Sequence, residues 1–473
     1  MLPPFDPWRF AAATVEVAEA WNASAQSVAA MQARRLRELL AHVAQHSPLY
    51  RGMLGGLDPS GLDLQSLPVM HKPQLMRHFD EWVTDPQIRL EDLRRFVGDR
   101  SHIGDTYLGR YVVWESSGSS GNPAIFVQDA ASLAVYDALE ALRRTASRPM
   151  GHVLDPLCLA ERIVFIGAID GHFASTVSFE RLRRLNPWMA NSLHSLSFLK
   201  PLKALVVELD ALKPSVIATY PSVAVLLAKE KAAGRLSIAP TEIWTGGETL
   251  SAGARRFVQH AFGCAVCDSY GASEFLALAS QCPQGRLHLN SDWAIVESVD
   301  AHGRPVPDGH PGHSCLLTNL INRVQPLIRY DLGDRVTITS GPCACGSTLP
   351  VIEVHGRSDE TLCLGRESRH SVEVLPLALC TVIEEEAGLF DFQVVQCGPR
   401  DLLLRTGLTG SHADASLRRA CDAIRGFLAR QGADEINIQC QSGVHWRRGR
   451  SGKVQRIVRM PLHQEDHAGA PRC

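Results

Sequence analysis

The sequence predicts an α/β protein with two domains. The large N-terminal domain is built of parallel sheets with helices plus a β subdomain, and the small C-terminal domain is α+β. Three observations carry that expectation. A length of 473 residues exceeds what a single hydrophobic core usually supports. From about residue 110, short β-rich runs alternate with helical stretches, the pattern of strands covered by helices. After Gly356-Arg-Ser-Asp359 the texture shifts again, to a stretch with the length and alternation of a small α+β unit. The expected division is therefore 1–357 and 358–473.

The elements follow in order. Val28, Met31, Leu36, Leu39, Leu40 and Val43 recur at helical spacing, and Pro48 closes the run. Tyr111-Val-Val-Trp114, Ile163-Val-Phe-Ile166 and Val216-Ile-Ala-Thr219 read as strands. Residues 131–144 and 222–233 read as helices between them. Beyond residue 290, Gly303-Arg-Pro-Val-Pro307 and Asp308-Gly-His-Pro-Gly312 punctuate a β subdomain of short segments. In the C-terminal part, strands are expected at Phe392-Gln-Val-Val395, Leu402-Leu-Leu-Arg405 and Glu435-Ile-Asn-Ile438, with a helix over 417–431. The tail after Met460 is polar, and fraying is expected there.

Composition excludes several classes. Lys and Arg total 48 against 50 Asp and Glu, a net charge of −2, which gives no general attraction to nucleic acid. No run approaches the roughly 18 apolar residues that a membrane span needs. The start, Met1-Leu-Pro-Pro-Phe-Asp6, lacks a secretory pattern, so a cytoplasmic protein is expected. The 13 cysteines are then expected to be reduced, a minority of them serving as metal ligands.

Six motifs carry chemistry. Glu115-Ser-Ser-Gly-Ser-Ser-Gly-Asn-Pro123 follows a strand, and its dense hydroxyls and backbone N–H groups suit phosphate oxygens. Read alone, it is equally a flexible Ser/Gly loop. Thr245-Gly-Gly-Glu248 lies at a strand end. Asp268-Ser-Tyr-Gly-Ala-Ser-Glu274 offers a ring, a hydroxyl and a carboxylate for adenine, phosphate and Mg²⁺. Arg329-Tyr-Asp-Leu-Gly-Asp334 sets a carboxylate after a glycine turn, placed to accept from two ribose hydroxyls. Gly356-Arg-Ser-Asp359 and Arg450-Ser-Gly-Lys-Val-Gln-Arg456 complete the set. Each alone also reads as a turn or a solvated basic tail; Arg447, Arg448, Arg450, Arg456 and Arg459 surround Lys453.

In this order and spacing, over roughly 30–460, the motifs resemble the adenylate-forming superfamily. Ser47-Pro-Leu-Tyr50, Leu67-Pro-Val-Met-His-Lys72, Thr219-Tyr-Pro-Ser222, Leu287-His-Leu-Asn-Ser-Asp292 and Pro342-Cys-Ala-Cys-Gly346 are similar to phenylacetate–CoA ligases. The resemblance implies an enzyme that joins a carboxylic acid, by default aryl or arylacetic, to ATP as an acyl-adenylate, and then to CoA. It implies that Ser116, Ser117, Gly118, Ser119, Ser120 and Gly121 hold the β- and γ-phosphates. Gly246, Gly247, Glu248, Ser269, Tyr270 and Gly271 would shape the nucleotide site, with Tyr270 on adenine. Ser273 would contact the α-phosphate, Glu274 would hold Mg²⁺, and Asp334 and Arg357 would bind ribose. Lys453 would bridge the carboxylate and the α-phosphate, a role suited to a compact ammonium on a flexible stem. Asp359 falls at the family's hinge. The acid pocket would be walled near Tyr136, Phe165, residues 218–222 and Trp244. A homodimer is an assembly the resemblance allows.

Two departures matter. The loop reads Gly121-Asn122-Pro123 where relatives carry Gly-Lys-Pro, which removes a cation but leaves the backbone cradle. Leu362-Cys-Leu-Gly-Arg-Glu-Ser-Arg-His-Ser371 is polar where relatives are apolar, so an amine, ammonia or a carrier-protein thiol stays open as acceptor beside CoA. A non-catalytic nucleotide-binding scaffold is a further alternative. Separately, Cys282, His288, Cys343 and Cys345, all in segments read as loops, make a set of three thiolates and one imidazole suited to structural Zn²⁺. Cys264 and Cys267 offer a competing pair on an expected strand, where side chains alternate.

Overall fold

The computed structural model describes residues 3–56, 61–116, 123–143, 161–357, 362–365, 372–374, 376–433, 435–444 and 455–459. Ser117, Gly118, Ser119, Ser120 and Gly121 of the expected phosphate loop, Asp359, Lys453 and the tail after Met460 lie outside the described residues.

The N-terminal part is helical because its ends are capped. Asp6 accepts from the Trp8 and Arg9 amides at the start of Pro7–Asn22, and Ser24 caps Ala25–His46. The first of these helices packs on Ala130–Arg143, and Leu90–Gly98 and Ala174–Leu185 pack on a hairpin of Val112–Glu115 with Ile125–Gln128, whose register pairs Glu115 with Ile125. All eight hairpin residues are buried.

A nine-stranded sheet forms the centre. From edge to edge it runs Asp334–Thr339, Val351–Arg357, Leu287–Leu289, Phe275–Gln281, Ala265–Ala272, Glu242–Gly246, Val216–Thr219, Ile163–Gly167, Leu193–Ser197. Pairing is parallel from Leu193–Ser197 to Ala265–Ala272 and antiparallel beyond. The parallel strands read as continuous apolar runs, because helices Leu202–Leu212, Pro221–Ala232 and Ala252–Phe262 pack against them. The antiparallel half starts where Ala265–Ala272 turns straight back as Phe275–Gln281, with no helix between. The sheet is thus parallel over only half its width. A three-stranded sheet of Ala294–Val299, Ser314–Asn319 and Tyr330–Asp331 forms the β subdomain.

The C-terminal part has its own core, drawn from Leu362 to Ile457. Helices Pro376–Ala387 and Ser411–Arg430 pack with a four-stranded sheet of Asn437–Gln441, Asp401–Arg405, Gln393–Gly398 and Ile457–Arg459. Here the Cys421 and Cys440 side chains meet sulfur to sulfur between Ser411–Arg430 and Asn437–Gln441. No helix among the described residues is long and apolar enough to cross a membrane.

Candidate active site

The motifs converge where the sheet changes from parallel to antiparallel. Asp268, Ser269, Tyr270 and Gly271 lie on Ala265–Ala272, and the turn that follows carries Ser273 and Glu274. Gly271 is fixed by space: a Cβ there would stand 1.8 Å from the Leu276 carbonyl oxygen. The next strand pair brings in a distant segment. The Tyr270 hydroxyl donates to Asp334 Oδ2 at 2.6 Å, and Asp334 Oδ1 lies 3.5 Å from the Arg357 guanidinium. Gly333 has φ +73°, and a Cβ there would meet Arg357 Nη2 at 2.8 Å, so the glycine turn before Asp334 is required.

Glu274 is held from the β subdomain. The Tyr330 hydroxyl donates to Glu274 Oε1 at 2.9 Å, and Asn319 Nδ2 donates to the Glu274 carbonyl at 3.0 Å. Burial raises the Glu274 carboxyl above its usual range, against the Tyr330 hydrogen bond and the charge of Lys72. Trp114 Nε1 donates to the Ser273 carbonyl at 2.8 Å, tying the hairpin to the same turn. Ser116, the one described residue of the loop expected to hold phosphate, donates its amide to Ala124 O at 2.8 Å and accepts at Oγ from Ala124 N at 2.9 Å.

The Gly246-Gly-Glu248 segment sits beside this turn. Ser269 Oγ donates to the Thr245 carbonyl at 3.2 Å, and Gly247 takes φ +78°. Glu248 accepts from the Ser222 amide at 3.0 Å and the Ser222 hydroxyl at 3.1 Å. Of the expected acid-pocket walls, Tyr136 is buried against Phe275 at 5.3 Å, and its hydroxyl accepts from Asn319 Nδ2 at 3.1 Å. Trp244 lines a cleft with Glu140, Thr245, Cys267, Asp268, Ser269, Ser280 and Gln281. Burial pushes Asp268 up to about 6, opposed by its bond from Thr245 Oγ1 at 2.8 Å.

Sequence reasoning passed over Tyr330, Asn319, Trp114 and Lys72 as site residues. Tyr330 and Lys72 stand inside quoted motifs, which was the available signal. Asn319 and Trp114 carried none beyond their strands.

The Cys/His set is brought together. The ligand atoms of Cys282, His288, Cys343 and Cys345 all lie within 4.8 Å of one another. His288 is not in a loop, as expected, but on the strand Leu287–Leu289. Its Nδ1 stands 2.7 Å from the Leu349 carbonyl, which assigns the proton to Nδ1 and turns Nε2 as a lone pair toward the thiols. Three thiols and such an imidazole fit a tetrahedral Zn²⁺.

Residues 193–321 match the family model described as AMP-binding enzyme. In sequence the chain is similar to a phenylacetate-coenzyme A ligase. It is 24% identical over 379 residues to a phenylacetate-coenzyme A ligase of Thermus thermophilus, covering 76% of this chain and 77% of that one. It is also 26% identical over 156 residues to protein CapK of Staphylococcus aureus, 33% of each chain. Among solved structures, 2-hydroxyisobutyryl-CoA ligase in the postadenylation state with 2-HIB-AMP superposes with a TM-score of 0.68 at 19% identity, over 93% of this chain and 91% of that one. The same ligase with 2-HIB-AMP and CoA in the thioesterification state gives 0.56 at 19% identity, over 93% and 91%.

Proposed function

We propose that the protein activates a carboxylic acid with ATP and passes the acyl group to CoA. In the first half-reaction a carboxylate oxygen bonds to the α-phosphorus of ATP and pyrophosphate leaves. In the second, the CoA thiolate bonds to the acyl carbon and AMP leaves. Similarity to the phenylacetate-coenzyme A ligase over most of both chains supports the class. The observation that carries the reading is the convergence of Tyr270, Glu274, Asp334 and Arg357, from three separate motifs, where the sheet changes from parallel to antiparallel.

In this reading the Tyr270 ring stacks on adenine while its hydroxyl orients Asp334 toward the ribose, with Arg357 beside it. Ser273 contacts the α-phosphate, Gly271 lets the backbone approach, and loop 116–121 holds the β- and γ-phosphates. Gly246, Gly247, Glu248 and Ser269 floor the site. Glu274 supplies one carboxylate for Mg²⁺, an ion that takes its other oxygens from phosphate and water. Bound there, the ion would neutralise phosphate charge. Lys453 bridges the two anions during adenylation. The chain divides at 357/358 in this reading, supported by the separate C-terminal core. Cys282, His288, Cys343 and Cys345 hold a structural zinc. ATP and CoA are chiefly cytoplasmic reagents, which favours that compartment.

The test is acid-dependent pyrophosphate release from ATP over a panel of aryl and arylacetic acids, with and without CoA. Release coupled to thioester formation is expected. Release that CoA neither accelerates nor captures would move the acceptor to an amine or carrier protein, and none with any acid would leave a scaffold. Lys453→Ala should suppress release while ATP binding persists.

A further inference from the structure

A second charged cluster, outside the nucleotide cleft, joins the two parts of the chain. Glu384 lies on Pro376–Ala387, and its side chain is fully buried. Its carboxylate is shared: Oε2 accepts from the Ser251 hydroxyl, and Oε1 pairs with the Arg456 guanidinium. Ser251 is also the N-cap of Ala252–Phe262, where its Oγ accepts from the Ala254 amide at 3.0 Å. The carboxylate therefore sits at the positive end of a helix belonging to the other core.

Neighbouring contacts make this a close packing. Phe257 and Phe390 stack at 5.1 Å with planes 19° apart, and Arg256 pairs with Glu385 at 3.0 Å on the exposed rim. A Cβ on Gly253 would come within 3.3 Å of Glu385 Cγ. Arg456 is anchored on its own side as well. Its carbonyl accepts from the Val394 amide at 2.8 Å, and its guanidinium stands 5.3 Å from the Phe392 ring centre. A buried carboxylate that loses one partner is strongly destabilising, so Glu384 keeps Ser251 and Arg456 together or not at all. Arg456 stands three residues after Lys453 in sequence.

We propose that Glu384 is a positioning residue for acyl-adenylate formation. By gripping Ser251 of the large core and Arg456 of the small one, it holds the two cores together during the first half-reaction. The second half-reaction has no use for Lys453 and does not depend on the grip. This rests on the function proposed above.

The experiment compares Glu384→Gln, Ser251→Ala and Ser251→Thr with the wild type, and includes Arg256→Ala as a rim control. The first half-reaction is read as pyrophosphate release with the acid most active for the wild type, and the second as CoA-dependent consumption of that acid's synthetic adenylate. Melting temperature and the radius of gyration by solution scattering are recorded for each variant. Glu384→Gln and Ser251→Ala should lower the first kcat about tenfold, the worth of a hydrogen bond to a charged group. The second should stay at the wild-type rate, and the radius of gyration should rise. Ser251→Thr, which keeps the hydroxyl, should restore adenylation, and Arg256→Ala should leave both steps unchanged. Equal loss in both steps, tracking the melting temperature, would overturn the proposal, as would no loss in either. If the wild type releases no pyrophosphate with any acid, the functional reading fails, and an unchanged radius of gyration in the variants would separately remove the grip.

Discussion

The Tyr270 hydroxyl and Asp334 are joined by a 2.6 Å hydrogen bond across 64 residues of sequence. The bond links the residue read as the adenine platform to the residue read as the ribose acceptor. A nucleotide meeting this site would find ring and carboxylate already set relative to one another. Tyr270→Phe keeps the ring and releases Asp334, so the KM for ATP should rise about fivefold, the net worth of one hydrogen bond. Tyr270→Ala removes the stacking face too and should raise it further. Steady-state pyrophosphate release against ATP concentration reads both, and equal KM values in all three proteins would detach the pair from nucleotide binding.

Glu274 presents the same logic for the metal. Tyr330 holds one carboxylate oxygen at 2.9 Å, and burial makes the charged form costly until a cation arrives. Glu274→Gln should lower acid-dependent pyrophosphate release about a hundredfold, in line with losing one transition-state electrostatic contact. Tyr330→Phe should instead shift the Mg²⁺ titration to higher concentration with a smaller loss at saturation. A Tyr330→Phe protein with an unaltered Mg²⁺ dependence would count against this role.

Asp268 gives a pH dependence of stability. Burial raises its folded value to about 6 from the ordinary 3.8, so the folded state holds the proton more tightly than the unfolded one. The stabilisation is therefore complete below about pH 4 and is lost as pH rises through about 6. The amide that Asp268→Asn introduces does not titrate and can still accept from Thr245. The stability of Asp268→Asn relative to wild type should thus climb by up to about 3 kcal/mol between pH 4 and 7. Urea unfolding at several pH values checks this, and a pH-independent difference would show that Asp268 does not titrate as stated.

What the sequence made legible followed from local chemistry. Apolar periodicity marked the helix Ala25–His46, and the glycine before Asp334 marked a turn. Contacts between motifs were not legible, because they depend on register: Tyr270 reaches Asp334 only once Asp334–Thr339 and Val351–Arg357 are added to the same sheet. The antiparallel half of that sheet escaped for a related reason. Its strands are apolar like the parallel ones, and periodicity does not report direction. Lys72 and Asn319 act on Glu274 from 202 and 45 residues away in sequence, beyond the reach of any local pattern.

The Leu287-His-Leu-Asn-Ser-Asp292 segment also has a structural use. Arg143 is bidentate to Asp292, at 2.8 Å and 2.9 Å, and both side chains are wholly enclosed. Arg143 Nη1 also donates to Asn290 Oδ1, and Nη2 reaches the Val17 carbonyl at 3.3 Å. The pair thereby ties the first helix and Ala130–Arg143 to the central sheet. Asp292→Ala leaves a guanidinium uncompensated in the core and should destabilise by about 3–5 kcal/mol. Pairing it with Arg143→Met should recover most of that loss in denaturant unfolding. A double variant no better than the single would mean that the charges matter less than the volume they fill.

The Cys282, His288, Cys343 and Cys345 cluster also acts on the N-terminal helices. Trp21 packs edge-on against the His288 ring at 5.7 Å, and the Thr348 hydroxyl donates to the Ala23 carbonyl at 2.6 Å. A metal joining the strand Leu287–Leu289 to Cys343 and Cys345 would fix the surface on which the turn between Pro7–Asn22 and Ala25–His46 rests. The purified protein should carry about one equivalent of zinc. Chelation should lower its melting temperature by several degrees and open the first two helices to proteolysis before the central sheet. Cys345→Ser should reduce both metal content and melting temperature, while Cys264→Ser, outside the cluster, should change neither. Metal below about half an equivalent in protein never exposed to chelator would remove zinc from the structure, and would leave His288 as a buried imidazole whose Nδ1 bonds Leu349.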